Sequence, residues 1–283
     1  MPSTPLKCVV AATALLLACA ATTASASTPS CDPASFNDTT HAAACDAANA
    51  LVSTWYSALE GTITKTQFWG GANGVQGIID FMQRTDSRAF APLVAQVKSR
   101  RPSWIVELLG SGSYDDMQWW SLMYLSAARV LGASGAAGGA VGGAVGGATS
   151  GGALDGAAYL AEGKAIFDHV WSEAYDAKAC GGGLWWSKKK SYKNAITNEL
   201  AVANAALLHL LLPGDTAYLA KAKKQWEWFN ASGMVSPELG LVADGLGADC
   251  KSNGGSCCSG YVRRRGESEA DPVVVTRSEV GGV

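Results

Sequence analysis

The chain of 283 residues is 48% hydrophobic and 16% charged, and its 22 Lys and Arg against 24 Asp and Glu leave a formal charge of −2. That near-balance argues against a nucleic-acid binder, which needs a basic face to displace counterions, and the apolar content excludes a disordered acidic chain. Ten Trp residues stand out; so many of these large amphipathic rings point to a deep core, a ligand platform, or both.

Residues 1–26 read as a secretory signal peptide, with Lys7 ahead of the apolar run Cys8–Ala21 and a small-residue cleavage pattern at Ala24-Ser25-Ala26. The run is shorter than the ~20 apolar residues that a bilayer span requires, so secretion is expected and a membrane anchor is not. Six cysteines remain after it: Cys31, Cys45, Cys180, Cys250, Cys257 and Cys258. In an oxidising compartment an even set suggests disulfides. Cys31–Cys45 and Cys180–Cys250 are the preferred pairs, although spacing alone derives neither. The cysteines lack CxxC spacing, and His41, His169 and His209 stand alone, so no metal site and no cofactor are expected. The tripeptides Asn37-Asp38-Thr39 and Asn230-Ala231-Ser232 are glycosylation sequons compatible with secretion.

The mature chain reads as helical nearly throughout. Near 46–60, Leu51, Val52, Trp55, Tyr56 and Leu59 fall on one helix face; Val75, Ile78, Ile79 and Met82 repeat the stripe between 72 and 85. Phe90, Leu93, Val94 and Val97 do so again before Pro102 stops the run. Further helices are predicted at about 115–131, 157–171, 194–212 and 216–230. The sixth carries Ile196, Leu200, Ala203, Leu207 and Leu210 on one side and ends at Pro213-Gly214. No alternating strand of useful length occurs. About seven helices joined by loops favour an all-α solenoid or toroid over a four-helix bundle. This domain is expected over 27–250. Within it, 132–153 holds ten Gly in 22 residues, and at ~1 kcal/mol of lost helix stability per Gly relative to Ala it reads as a flexible surface insert. Residues 251–283 show no helical stripe and read as a disordered tail, with Arg263-Arg264-Arg265 a solvated patch.

The segment most informative about chemistry is Gly110-Ser-Gly-Ser-Tyr114-Asp115-Asp116-Met-Gln-Trp119-Trp120. Local physics accounts for the acids as a helix N-cap (Asp115) and a first-turn carboxylate favoured by the helix dipole (Asp116). A catalytic account competes with it. The acids stand beside two Trp, on whose faces sugar C–H surfaces stack, and a second double Trp, Trp185-Trp186, follows another Gly-rich loop. Glycoside hydrolysis needs two carboxyls, one ionised to attack the anomeric carbon and one protonated to assist the leaving oxygen. Adjacent aspartates couple, so that one titrates low and the other high.

Ser113-Tyr-Asp-Asp-Met-Gln-Trp-Trp-Ser-Leu-Met-Tyr124 resembles the aspartate-pair motif of glycoside hydrolase family 76, the endo-α-1,6-mannanases. So do, in order, Phe68-Trp-Gly-Gly-Ala-Asn73, Cys180-Gly-Gly-Gly-Leu-Trp-Trp-Ser187 with Tyr192-Lys-Asn-Ala-Ile-Thr-Asn-Glu-Leu200, and Leu241-Val-Ala-Asp-Gly-Leu246. The resemblance implies an (α/α)6 toroid and a retaining reaction on α-mannan or mannooligosaccharide; a monomer, secreted from the cell or held in its wall, is expected. It implies Asp115 as nucleophile and Asp116 as general acid/base. Trp119, Trp120, Trp185 and Trp186 are candidates to line the cleft, with about half expected to pack the core instead. Asn73, Asn194, Asn198 and Asp244 are candidates to bind mannose hydroxyls, against the competing account that Asn194 caps the sixth helix and Asp244 orders a turn. Glu199 reads as a structural helix residue. The family continues beyond the Asp-Gly-Leu block with further helices, whereas this sequence diverges from Ser256, so an incomplete toroid is expected. Two alternatives follow: a wall transglycosylase, which shares the covalent intermediate, or a mannan-binding protein without turnover.

Overall fold

A computed structural model describes residues 28–110, 112–132, 155–236 and 240–252. The expected signal peptide, nearly all of the Gly/Ala-rich insert, the Cys257-Cys258 pair and the tail beyond Ser252 lie outside the described residues.

Eight α-helices are present among those residues, joined by six two-residue strands. Helix α1 (Thr39–Trp55) starts where the Asp38 carboxylate accepts a hydrogen bond from His41 N at 2.9 Å, seven residues earlier than the apolar stripe suggested. It also ends earlier. Tyr56 and Leu59 belong not to the helix but to a hairpin of β1 (Tyr56–Ser57) and β2 (Thr62–Ile63), and Leu59 is exposed. Helix α2 (Phe68–Thr85) buries the predicted Val75, Ile78, Ile79 and Met82, and α3 (Ala91–Arg100) buries Leu93, Val94 and Val97.

Helix α4 (Ser103–Leu109) was not legible in the sequence. Pro102, which stops α3, is also the residue from which α4 starts. With only Val106 buried and Trp104, Leu108 and Leu109 exposed, its seven residues carry no apolar stripe to detect. Helices α5 (Tyr114–Val130), α6 (Gly156–Ala174), α7 (Ala195–Leu211) and α8 (Thr216–Ala231) follow. Asp155 and Asp215 cap α6 and α8, accepting from Ala157 N and Ala217 N, each at 2.9 Å. Short Asp and Asn side chains thus cap four of these eight α-helices, α1, α6, α7 and α8, by satisfying otherwise orphaned N–H groups.

Helix α5 is the centre of the fold. It packs on α2, α6 and α7, and is buried on nearly every side, with Tyr114, Met117, Trp120, Met123, Tyr124, Ala127 and Ala128 all in the core. Close approach of α6 depends on Gly163. A Cβ there would lie 2.8 Å from Leu125, and Ser121 Oγ donates to Gly163 O at 2.8 Å. Polar ties fix α7: Gln118 Nε2 donates to Thr197 O at 2.8 Å, and Asn204 Nδ2 to Gln118 O at 3.2 Å. The stripe expected to lie on one side of α7 is split. Leu200 is buried, whereas Ala203 and Leu210 face outward, because α5 and α8 together cover only part of the helix circumference.

Both preferred disulfides are present, Cys31–Cys45 and Cys180–Cys250. The first pins residues preceding α1 to its buried face, where Asn49 also holds both Cys31 N and Cys31 O. Replacing Cys31 and Cys45 together by Ser should cost about 3 kcal/mol, the loop-closure entropy for a separation of 14 residues. Urea unfolding would report this as a lower midpoint with an unchanged folded-state helical signal. The sequon residues Asn37 and Asn230 are exposed. Among the described residues no cluster of His, Cys, Asp or Glu is suited to a metal ion, and no helix is long and apolar enough to cross a membrane.

Candidate active site

The N-terminus of α5 is where the acids meet their partners. Ser113 occupies the cap position with extended backbone (φ −148°). Asp115 is therefore not the N-cap that local spacing suggested; both aspartates sit in the first turn. The reason is tertiary: Tyr114 N, free at a helix start, is taken by Trp186 O at 2.8 Å, which sets the cap two residues earlier. Both carboxylates face the positive end of the helix dipole, and both are half-buried, so neither is sealed from solvent.

Their surroundings differ. Asp115 Oδ1 accepts from Asp116 N at 3.0 Å and from Trp186 Nε1 at 3.1 Å, while Oδ2 accepts from Asn194 Nδ2 at 3.3 Å. Burial pushes its pKa up, and the Asn194 amide, the backbone N–H groups of Asp116 and Asp115 and the Ser113 side chain oppose the rise. Burial raises Asp116 as well, and there the Asp115 charge adds to the rise, with Ser113 alone opposing it. Neutral donors that stabilise an ionised carboxylate thus converge on Asp115, while Asp116 lies beside a like charge.

The donors arrive from distant segments. Trp186 ends the Gly-rich loop, and its own N–H donates to Tyr192 O at 2.8 Å. Asn194 lies on β3 (Lys193–Asn194), paired antiparallel with β6 (Gly245–Leu246), Asn194 opposite Gly245. A Cβ on Gly245 would stand 2.6 Å from Lys193 O and from the Tyr192 ring, so the Asp-Gly-Leu block needs its Gly for this contact. The Tyr192 hydroxyl donates to the Asp244 carboxylate, and Asp244 O accepts from Ala195 N at 2.7 Å.

The candidate residues separate accordingly. Asn194 does both things weighed for it: it caps α7, accepting from Thr197 N at 3.3 Å, and it reaches Asp115. Asp244 orders the β6 turn through Tyr192. Asn198 is fully buried, bonded to Leu184 N, Leu184 O, Asn194 O and Gln225 Nε2, so its place is structural and not at a sugar hydroxyl. Trp120 is fully buried against Phe68, with Nε1 donating to Phe68 O; Trp185 is buried, donating to Asp176. Both belong to the interior because their N–H groups find internal acceptors there. Trp119 and Trp186 stay partly open. Trp119, one turn on from the acids, pairs with Trp69 at 6.5 Å between ring centroids. Asn73 is half-buried one turn beyond Trp69 on α2. Glu199 lies half-buried on α7, where burial raises its pKa. Sequence reasoning missed Trp69 and Tyr192 as site residues, although both lie within the family-like motifs.

Comparison with known proteins agrees with this geometry. Residues 149–258 match the family model described as glycosyl hydrolase family 76, a span that takes in the Gly-rich loop, Asn194 and Asp244 but not α5. A Schizosaccharomyces pombe protein assigned as a mannan endo-1,6-alpha-mannosidase is 29% identical over 145 residues, 49% of this chain and 28% of its own. The mannan endo-1,6-alpha-mannosidase DFG5 of Candida albicans is 32% identical over 80 residues, 26% of this chain and 18% of its own. Among solved structures, an alpha-1,6-mannanase from Salegentibacter sp. HEL1_6 matches with a TM-score of 0.57 at 19% identity, over 73% of this chain and 55% of that one. An inactive variant of the same enzyme, with two adjacent aspartates changed to alanine and alpha-1,6-mannotetrose bound, matches equally, with a TM-score of 0.57 at 17% identity over 77% and 57% of the two chains. The chain thus spans less than a third of the length of the two curated relatives and a little over half of the mannanase. With four ordered sequence blocks gathered at one helix mouth and an α/α-toroid fold shared with a solved mannanase, the chain is similar to members of glycoside hydrolase family 76, whose family model matches residues 149–258.

Proposed function

We propose that this chain is a secreted retaining glycosidase that cleaves α-1,6-mannosidic bonds in mannan. The observation that carries the reading is the unequal setting of two adjacent carboxyls, donors converging on Asp115 and a like charge beside Asp116. Asp115, as the carboxylate, attacks the anomeric carbon, while Asp116, as the carboxylic acid, gives its proton to the departing glycosidic oxygen. The product is a glycosyl ester on Asp115. Asp116, now a carboxylate, takes a proton from water, and that water displaces Asp115 from the same face as the original bond, so configuration is retained. Trp186, Trp119 and Trp69 offer ring faces beside the acids for sugar C–H contact.

Two further facts support the reading. The sequence holds one Asp-Asp pair, Asp115-Asp116, and the related mannanase variant described as inactive has lost two adjacent aspartates. Disulfides at Cys31–Cys45 and Cys180–Cys250 fit an oxidising, extracellular setting.

The test is digestion of α-1,6-mannotetraose followed by NMR during the first turnovers. The α-anomer should appear first and mutarotate afterwards. Early β-anomer would overturn retention, and an intact tetrasaccharide at high protein concentration would overturn the glycosidase reading. Products longer than the substrate would show transfer to a sugar hydroxyl in place of water.

A further inference from the structure

Lys193 is fully buried, yet it stands between two residues of the site, Tyr192 and Asn194. Its Nζ donates to the carbonyl oxygens of Ala179 at 2.7 Å, Gly183 at 3.2 Å, Asp176 at 3.3 Å, and to that of Gly182. An ammonium has three hydrogens, so four carbonyls share them and surround the cation as a hydration shell would. The Trp185 ring centroid lies 4.5 Å from Nζ and that of Trp228 5.7 Å, adding two π faces. Burial draws the Lys193 pKa down to about 8, against the opposing pull of the Asp176 carboxylate, so the cage holds a charged group at neutral pH.

The sequence of the loop suits this purpose. Gly181, Gly182 and Gly183 all have positive φ, at 71°, 142° and 88°. A Cβ on Gly182 or Gly183 would meet the Trp228 ring at 2.7 or 2.3 Å. Only glycine at these places lets successive carbonyls turn inward on one point. The rim of the cage is tied by Trp228 Nε1 donating to Cys180 O at 2.9 Å and by the Cys180–Cys250 disulfide.

Both side-chain donors that reach Asp115 from distant segments leave directly from this cage. Trp186 follows Gly183 by three residues, and Asn194 is the residue after Lys193. We propose that Lys193 is a positioning residue: its ammonium, caged by the Asp176–Gly183 carbonyls, holds the Gly-rich loop and β3 in the one arrangement that aims Trp186 and Asn194 at the Asp115 carboxylate. The consequence for turnover rests on the reading of Asp115 as the attacking carboxylate; the consequence for the position of Trp186 does not. Without the charge, the buried carbonyls lose their donor, the loop shifts to regain water, and Trp186 leaves Asp115.

The test uses the full chain carrying Lys193→Met, which keeps the length and apolar stem but not the charge. The helical far-UV signal should persist. The kcat on α-1,6-mannotetraose should fall by roughly 100-fold, the scale of a misplaced catalytic group, with KM changed by less than about threefold. The Trp186 indole N–H resonance, assigned by its loss in Trp186→Phe, should move upfield as its bond to Asp115 breaks. In Lys193→Ala, added n-propylammonium, which replaces the lost Cγ–Nζ fragment, should restore turnover, and tetramethylammonium, which has no N–H, should not. Wild-type kcat in Lys193→Met, or an unmoved Trp186 resonance, would overturn the proposal. So would loss of the helical fold in both variants, which would assign Lys193 to stability alone. If the unmodified chain leaves mannotetraose intact, the mannanase reading fails, while the indole resonance still decides whether Lys193 places Trp186.

Discussion

Asp115→Asn and Asp116→Asn are each expected to lower kcat on α-1,6-mannan by about 10³-fold or more, equivalent to ~4 kcal/mol of barrier, with the helical fold retained. In Asp115→Asn the amide cannot form the glycosyl ester. In Asp116→Asn no proton reaches the leaving oxygen, so an aryl mannoside with a good leaving group should still glycosylate Asp115, and azide, which needs no general base, should then restore turnover. The two variants should also differ in stability. Asp116 has a raised folded-state pKa from burial and from the neighbouring charge. Between about pH 4, where the unfolded carboxyl titrates, and the raised folded value, the folded state binds more protons, so its stability falls as pH rises through that window. Removing this charge should therefore raise the melting temperature at pH 7, with the gain vanishing below about pH 4. Asp115→Asn should gain less, because its new NH₂ group would face the donors of Trp186 or Asn194. Turnover by Asp116→Asn at the unmodified rate would sink the assignment of the pair.

Trp120→Ala and Trp186→Phe should have opposite signatures, although each residue belongs to a Trp-Trp pair. Trp120 is 0% exposed at the centre of α5, its ring on Phe68 and its N–H satisfied. Truncation should cost about 3–5 kcal/mol, lowering the urea midpoint sharply. Trp186 is 40% exposed, and Phe keeps the ring while deleting the Nε1–H that Asp115 accepts. The melting temperature should scarcely move, while kcat falls by about 10- to 100-fold, the loss expected for one donor to a reacting carboxylate. Normal stability in Trp120→Ala with loss of mannan binding would return Trp120 to the cleft.

The stripe from Val75 to Met82 is assignable to a core face from sequence, because burial of one helix side follows a 3.6-residue period that the chain displays directly. Asp115 and Asp116 can be placed at a helix start for the same local reason. Helix α4 escapes such reasoning because Val106 alone is buried on it. The hairpin after α1 escapes because Tyr56 and Leu59 continue the helical spacing although Gly61, at φ +62°, lets the chain turn back. Trp69 escapes because nothing near it in sequence reveals that its ring meets Trp119 on another helix.

Propensity, capping and amphipathic spacing act over a few residues. The all-helical class, the stripes that bury α2 and α3, the adjacent acids and the small polar residues that begin helices are therefore written in the chain itself. Packing alone settles which indole of each Trp pair is open, that Asn194 serves both α7 and Asp115, and that Lys193 lies inside a cage of carbonyls. The reach of Trp186 and Asn194 to one carboxylate depends on bonds spanning 71 and 79 residues, and contacts at such separation are set by how whole helices pack, not by any pattern within one of them.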